Sequence, residues 1–232
     1  MSRAVIVNAD DFGQSAGINR GIVEAHERGI VTSASLMVRW PAASAAAEYA
    51  RRHPRFSVGL HVDLGESIYH NGDWIPLYER VDRRDAHAVE AEVRAQLALC
   101  RQLLQREPTH LDSHQHAHVE EPVRSILEAL AGELNVPLRH RSPRVRHDGR
   151  FYGQTNTGEP WPSGVSARHL VEILTGLPEG VTEIACHPGF ADDLVTMYRS
   201  ERQVELDVLC DPGVRRALVH EGIELLGFAD LT

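Results

Sequence analysis

Long apolar runs are missing from this chain: nowhere in its 232 residues do about 18 apolar side chains follow one another, so no segment reads as a membrane-spanning helix. The opening stretch, MSRAVIVNADDFG, has only Arg3 ahead of a very short apolar run and does not read as a secretory signal. A soluble, cytoplasmic protein with no membrane partner is expected. Positive charge is also scarce. With 24 basic against 33 acidic residues and a formal charge of −9, the chain lacks the clustered cations that a phosphate backbone requires, so nucleic acid is excluded as its main partner. Cysteine occurs three times, at Cys100, Cys186 and Cys210, without CxxC spacing. Neither a disulfide framework nor a thiolate metal site is indicated. Internal repeats, low-complexity tracts and Pro/Ser-rich linkers are absent. So are GxGxxG and the P-loop, which removes support for a nucleotide-binding open sheet.

What the chain does have is alternation. Its 42% hydrophobic content and length suit one substantial core, and residues 1–232 are read as a single domain. Apolar, β-branched runs predict strands at Ala4–Asn8, Ser33–Val38, Ser57–Val62, Thr109–Asp112, Val136–Arg139, Thr182–Cys186 and Ile223–Leu226. Between them, 3.6-residue periodicity predicts helices over Gly17–Arg28, Ala42–His53, Asp85–Gln105, Pro122–Leu134 and Ala167–Leu174, and two across Glu201–Glu221. The first is expected to stop at Gly29 in a left-handed conformation. This βα order predicts an α/β fold, a distorted TIM-like (β/α) barrel of about seven parallel strands. Val204, Leu206 and Leu209 form an apolar stripe read as core, with a homodimer contact as the alternative.

Barrel active sites lie where strand ends converge, and here four predicted strands stop on Asp or His. The ends are Asp10-Asp11, His61, Asp112-Ser113-His114 and His187. Side-chain alternation places Gly59 and His61, then His110, Asp112 and His114, then Glu183, Ala185 and His187, inside the barrel. Val58, Leu60, Val62, Leu111, Ile184 and Cys186 are then left facing the helices. Adjacent carboxylates at Asp10 and Asp11 repel unless a cation relieves them. Asp11 with His61 and His114 offers one carboxylate and two imidazoles, a set that leaves positions open for water and substrate. The donors suit Zn²⁺, with Mg²⁺ and additional waters as the alternative. Asp112 is expected to orient a ligand or His187. His116 is expected beside the ligands, or, paired with His118, as an alternative HxH metal site. His118 is otherwise expected at the surface or capping a helix, and His140 and His147 carry no assigned role.

The motifs NADDFG, GLH, HLDSHQHAH and CHPG, in this order across most of the chain, resemble the YdjC-like carbohydrate deacetylase family. The stretches Gly17–Ala25 and Gly29–Val38, and the segment from His187 to Gly222-Ile223, carry the same likeness. The resemblance implies a barrel related to polysaccharide deacetylases and one divalent ion on Asp11, His61 and His114. It further implies Asp10 as general base, His187 as general acid, and an N-acetylated amino sugar as the small carbohydrate substrate. Substrate selection is expected in two loop-rich stretches. One is Glu66–Tyr78, with Trp74 as a substrate-binding residue; the other is His140–Gly164, with Tyr152. Another metal hydrolase of the amidohydrolase or phosphoesterase type, and a non-catalytic sugar-binding protein, are the competing readings.

Overall fold

A computed structural model of the chain describes residues 2–231. Its elements run β1 (Arg3–Phe12), α1 (Ala16–Arg28), β2 (Ser33–Leu36), α2 (Ala43–Arg52), β3 (Ser57–Val62), β4 (Gly65–His70), β5 (Asp73–Glu79), α3 (Ala86–Leu104), β6 (Leu111–Ser113), α4 (Val123–Leu134), β7 (Arg146–Asp148), α5 (Ala167–Thr175), β8 (Gly180–Cys186), α6 (Ser200–Leu209), α7 (Pro212–His220) and β9 (Glu224–Leu225). A 3-10 turn over His114–Val119 follows β6 directly. No helix among the described residues is long and apolar enough to cross a membrane.

The fold is α/β, with a curled sheet of seven parallel strands in the order β6-β3-β2-β1-β8-β7, β9 joining β1 near its start. Leu138 adds a single parallel bridge to Leu111, on the free side of β6. That bridge is all that forms of the strand expected at Val136–Arg139. The barrel is therefore incomplete: no ladder among the described residues joins the Leu138 segment to β7.

Alternation sorts the side chains as the sequence predicts. Val58, Leu60, Val62, Leu111, Ile184 and Cys186 are fully buried in the core between sheet and helices. Each such aliphatic side chain contributes about 1.5–3 kcal/mol. The helix boundaries follow local chemistry. Ser15 caps α1 by accepting from the Ile18 amide, and Asp85 caps α3 by accepting from the amides of His87 and Ala88. Gly29 ends α1, but not as a left-handed stop, because its φ is −105°. A Cβ there would come 2.5 Å from the Leu209 carbonyl oxygen, so close approach to α6 is what requires glycine. In α6, Leu206 and Leu209 are buried within the chain while Val204 is exposed.

The barrel interior is layered. Ile6, Val145 and Phe228 plug the end where the strands begin, and the His110 ring stacks on Phe228 with centroids 3.8 Å apart. Above the plug the interior turns polar. Asn8 Nδ2 donates to Ser35 Oγ at 2.8 Å and to Asp10 Oδ1 at 2.9 Å, and Ser35 Oγ donates to Asp112 Oδ2 at 2.6 Å. This buried network, in which Asn8 and Ser35 link β1, β2 and β6, fixes the strands' relative heights, and with them the level of the residues at the mouth.

Candidate active site

Successive residues of a regular strand point to opposite faces, so Asp10 and Asp11 could not both enter the barrel mouth without a break in β1. The break is present: the β1–β2 register shifts between Ala9 and Phe12, and Asp11 has a left-handed φ of 67°. Such a bulge re-aims one side chain and lets two neighbouring carboxylates share a site. Asp10 and Asp11 are 2% and 1% exposed.

Each carboxylate has its own arginine. Arg139 Nη1 and Nη2 grip Asp10 Oδ2 and Oδ1 at 2.6 and 2.7 Å, and the same guanidinium reaches Asp112 at 2.8 Å and Glu183 at 2.6 Å. Arg202 Nη2 donates to Asp11 Oδ2 at 2.6 Å. All 24 basic residues of the chain are arginines, the side chain whose planar fork suits such bidentate grips. Burial pushes both carboxyls up, but Arg139 overrides it for Asp10, and Arg202 with His114 does so for Asp11, so both are held below the usual value. The repulsion between the two aspartates is thus relieved in part by arginine.

Asp11 Oδ1 remains free of Arg202 and faces the histidines. It lies 3.1 Å from His114 Nδ1 and 3.4 Å from His61 Nε2. The three residues bring one ligand atom each within 4.8 Å of one another, all buried. Behind them His61 Nδ1 is 2.7 Å from Asp112 Oδ1, the carboxylate partner that orients a metal-bound imidazole. Asp112 is therefore placed behind a candidate ligand, not against His187. Burial opposes protonation of both rings, yet the surrounding carboxylates raise His61 well above its ordinary value and His114 to about 9. The donor set calls for positive charge at this point, and the residues fit a divalent cation. Asp10, His61 and Asp112 also come within ligand distance, but Arg139 already occupies those carboxylates.

His187 closes the opposite side. Its Nε2 is 3.8 Å from Asp10 Oδ2, and its backbone amide donates to Glu205 Oε2. The Glu205 carboxyl also accepts from the Tyr198 hydroxyl, which in turn accepts from the Gly153 amide at 2.8 Å. Burial lowers His187 to about 4 and lifts the fully enclosed Glu205 to about 8. Asp10, Asp11, His61, His114 and His187 share one cleft of about 640 Å³ with Trp74, Tyr152 and His116. Trp74 is half exposed, on a β4–β5 hairpin where loop had been expected. The Tyr152 ring stacks on Tyr198 at 4.6 Å and meets His187 edge-on at 5.6 Å.

His118 departs from expectation, being fully buried, and it joins His116 and His140 rather than Asp11. Sequence reasoning also passed over Arg139, Arg202 and Glu205. Arg139 did carry a signal, because it ends the predicted strand Val136–Arg139 just as the recognised residues end theirs. Arg202 and Glu205 lie on α6, inside the segment from His187 to Ile223 that carries the likeness but in none of the four motifs.

The family model described as YdjC-like protein matches residues 4–220. A carbohydrate deacetylase of Geobacillus stearothermophilus is 33% identical over 99% of this chain and 98% of its own. A chitooligosaccharide deacetylase of Serratia marcescens is 30% identical with both chains covered to 100%. Among solved structures, a protein of Enterococcus faecalis V583, described as a candidate cellobiose-phosphate cleavage protein, superposes with a TM-score of 0.79 at 26% identity over 100% of both chains. Fold, motif order and full-length similarity agree: the chain belongs to the YdjC-like family.

Proposed function

We propose that this protein is a metal-dependent hydrolase that removes N-acetyl groups from amino sugars such as chitooligosaccharides. The observation that carries the reading is the arrangement across one cleft of the Asp11–His61–His114 set, the Arg139-held Asp10 and His187. Relatives named carbohydrate and chitooligosaccharide deacetylases support the substrate class.

Asp11, His61 and His114 would hold the ion, Zn²⁺ or Mg²⁺. When bound, it supplies Lewis acidity toward the acetyl carbonyl and lowers the pKa of a water. Asp10, kept ionised by Arg139, takes the proton of the attacking water as general base. Arg139 also fixes the direction in which the Asp10 oxygens point. On the far side the departing amine needs a proton, and His187 delivers it. A resting His187 at about 4 is neutral near pH 7, whereas Glu205 at about 8 holds a proton, with its Oε1 3.9 Å from His187 Nδ1. The acid function therefore belongs to the His187–Glu205 pair. Trp74 and Tyr152 offer faces for the C–H-rich surfaces of a sugar ring.

The test is acetate release from N-acetylglucosamine oligomers by protein stripped of metal and then given back Zn²⁺ or Mg²⁺. Release that depends on the restored ion is expected. Failure to release acetate from any acetylated sugar under these conditions would remove the substrate assignment.

A further inference from the structure

Four histidines gather at the gap in the barrel, beside the cleft that holds Asp11, which His116 and His147 also line. His116 and His118 follow β6, His140 follows the Leu138 bridge, and His147 lies in β7. Ring centroids are 5.2 Å apart for His116 and His140, 5.4 Å for His118 and His140, and 4.3 Å for His140 and His147. His116, His118 and His140 each bring a ring nitrogen within 4.8 Å of the others. His118 is fully buried, and its Nδ1 is engaged by Ser113 Oγ at 2.7 Å. Its Nε2 has no hydrogen-bond partner among the described residues. A buried, unpaired imidazole nitrogen is costly unless something beyond the chain completes it. Consecutive left-handed residues at Gln115 and His116, with φ of 49° and 52°, break the regular turn between His114 and His118. Such backbone is uncommon outside glycine.

We propose that His116, His118 and His140 form a second metal site at the edge of the open seam, which takes a borderline-soft divalent ion such as Zn²⁺ and pins the segment after Leu138 to the turn after β6. Three imidazoles with no oxygen donor discriminate against Mg²⁺ and Ca²⁺ and favour zinc and its neighbours. The size fits: nitrogens around tetrahedral zinc stand roughly 3.4 Å apart, so each ring closes in by less than about 1 Å. Arg139 opposes a cation here, but only weakly. The nearby Arg139 guanidinium is already shared by Asp10, Asp112 and Glu183, three carboxylates to one cation. His147 flanks the set with its Nδ1 3.5 Å from Glu183 Oε2, available as a fourth imidazole. An ion held here reinforces the single Leu111–Leu138 bridge between the segments after β6 and Leu138, and His147 as a fourth imidazole would extend the hold to β7 across the gap.

Metal-stripped protein is loaded with zinc, freed of excess, and its metal content measured per chain. Two equivalents are expected for the wild type and one for His140→Gln and for His116→Gln, both at exposed positions where replacement spares the fold. One is also expected for the Asp11→Asn/His61→Gln double variant. Magnesium in place of zinc loads at most one equivalent. Hydrogen exchange over residues 138–148 slows on zinc loading in the wild type and is unchanged in His140→Gln. Wild-type loading that both His140→Gln and His116→Gln retain in full overturns the proposal whatever the protein does to acetylated sugars, whereas a single equivalent lost in His140→Gln and kept in Asp11→Asn/His61→Gln upholds this site and removes the one at Asp11.

Discussion

Arg139 holds both oxygens of Asp10, at 2.6 and 2.7 Å, from inside a barrel where the arginine is fully enclosed. One side chain therefore sets the charge and the direction of the proposed base, and it is shared with Asp112 and Glu183 behind it.

Replacing Arg139 with Met leaves three buried carboxylates without their cation. The expected cost is about 3–5 kcal/mol of folding stability, the range for breaking a buried charge network from one side. Urea unfolding measures it. A loss below about 1 kcal/mol, the scale of an exposed pair, would show that the network is not what orders the mouth.

The same network predicts acid lability. Folded Asp10, Asp112 and Glu183 all lie below their ordinary values, Glu183 at about 2; burial raises each, but Arg139 outweighs it. Above the unfolded carboxylate values of about 4 these groups are ionised in both states, and their stabilisation is fully present. As pH falls from there toward about 2, the unfolded chain binds protons first and stability declines. Denaturant midpoints between pH 7 and 3 read this out; a midpoint flat down to pH 3 contradicts it.

Glu205 at about 8 gives the rate a basic limb. If the His187–Glu205 pair supplies the leaving-group proton, kcat/KM falls as pH rises through about 8, because the proton is lost from the pair. Glu205→Gln keeps an oxygen for the His187 amide but has no such proton. That variant is expected to turn over more slowly at neutral pH and to lack the limb. An unchanged pH profile would assign the acid elsewhere.

Trp74→Ala and Tyr152→Ala should act on substrate binding. Loss of one aromatic face amounts to about 0.5–1.5 kcal/mol, roughly a two- to tenfold rise in KM with kcat little altered. An unaltered KM in both, on oligomers of several lengths, would mean that these rings only pack the loops.

Much of this architecture is legible in the sequence, because strand alternation and strand ends are local signals. β3 forms over the expected Ser57–Val62, and Asp10, Asp11, His61, His114 and His187 meet in one cleft. What escaped depends on distant partners. Arg139 is one cation among many until the fold brings Asp10, 129 positions away, against it. His140 and His147 share no period with His116 and His118; the fold alone brings them together, His140 beside the turn after β6 and His147 from β7 across the seam. The β4–β5 hairpin is a different case, since its turn, Asn71-Gly72 with φ of 52° and 95°, is a strong local hairpin signal between two strands. Reading that stretch as loop overlooked it.

The account's central claim rests most directly on Asp10. Zinc-loaded wild type and Asp10→Asn are compared for acetate released, and free amine formed, from the same N-acetylglucosamine oligomer. General-base removal predicts a fall in kcat of roughly 10²–10⁴, with zinc still bound on Asp11, His61 and His114. Equal acetate release by the two proteins would contradict the assignment.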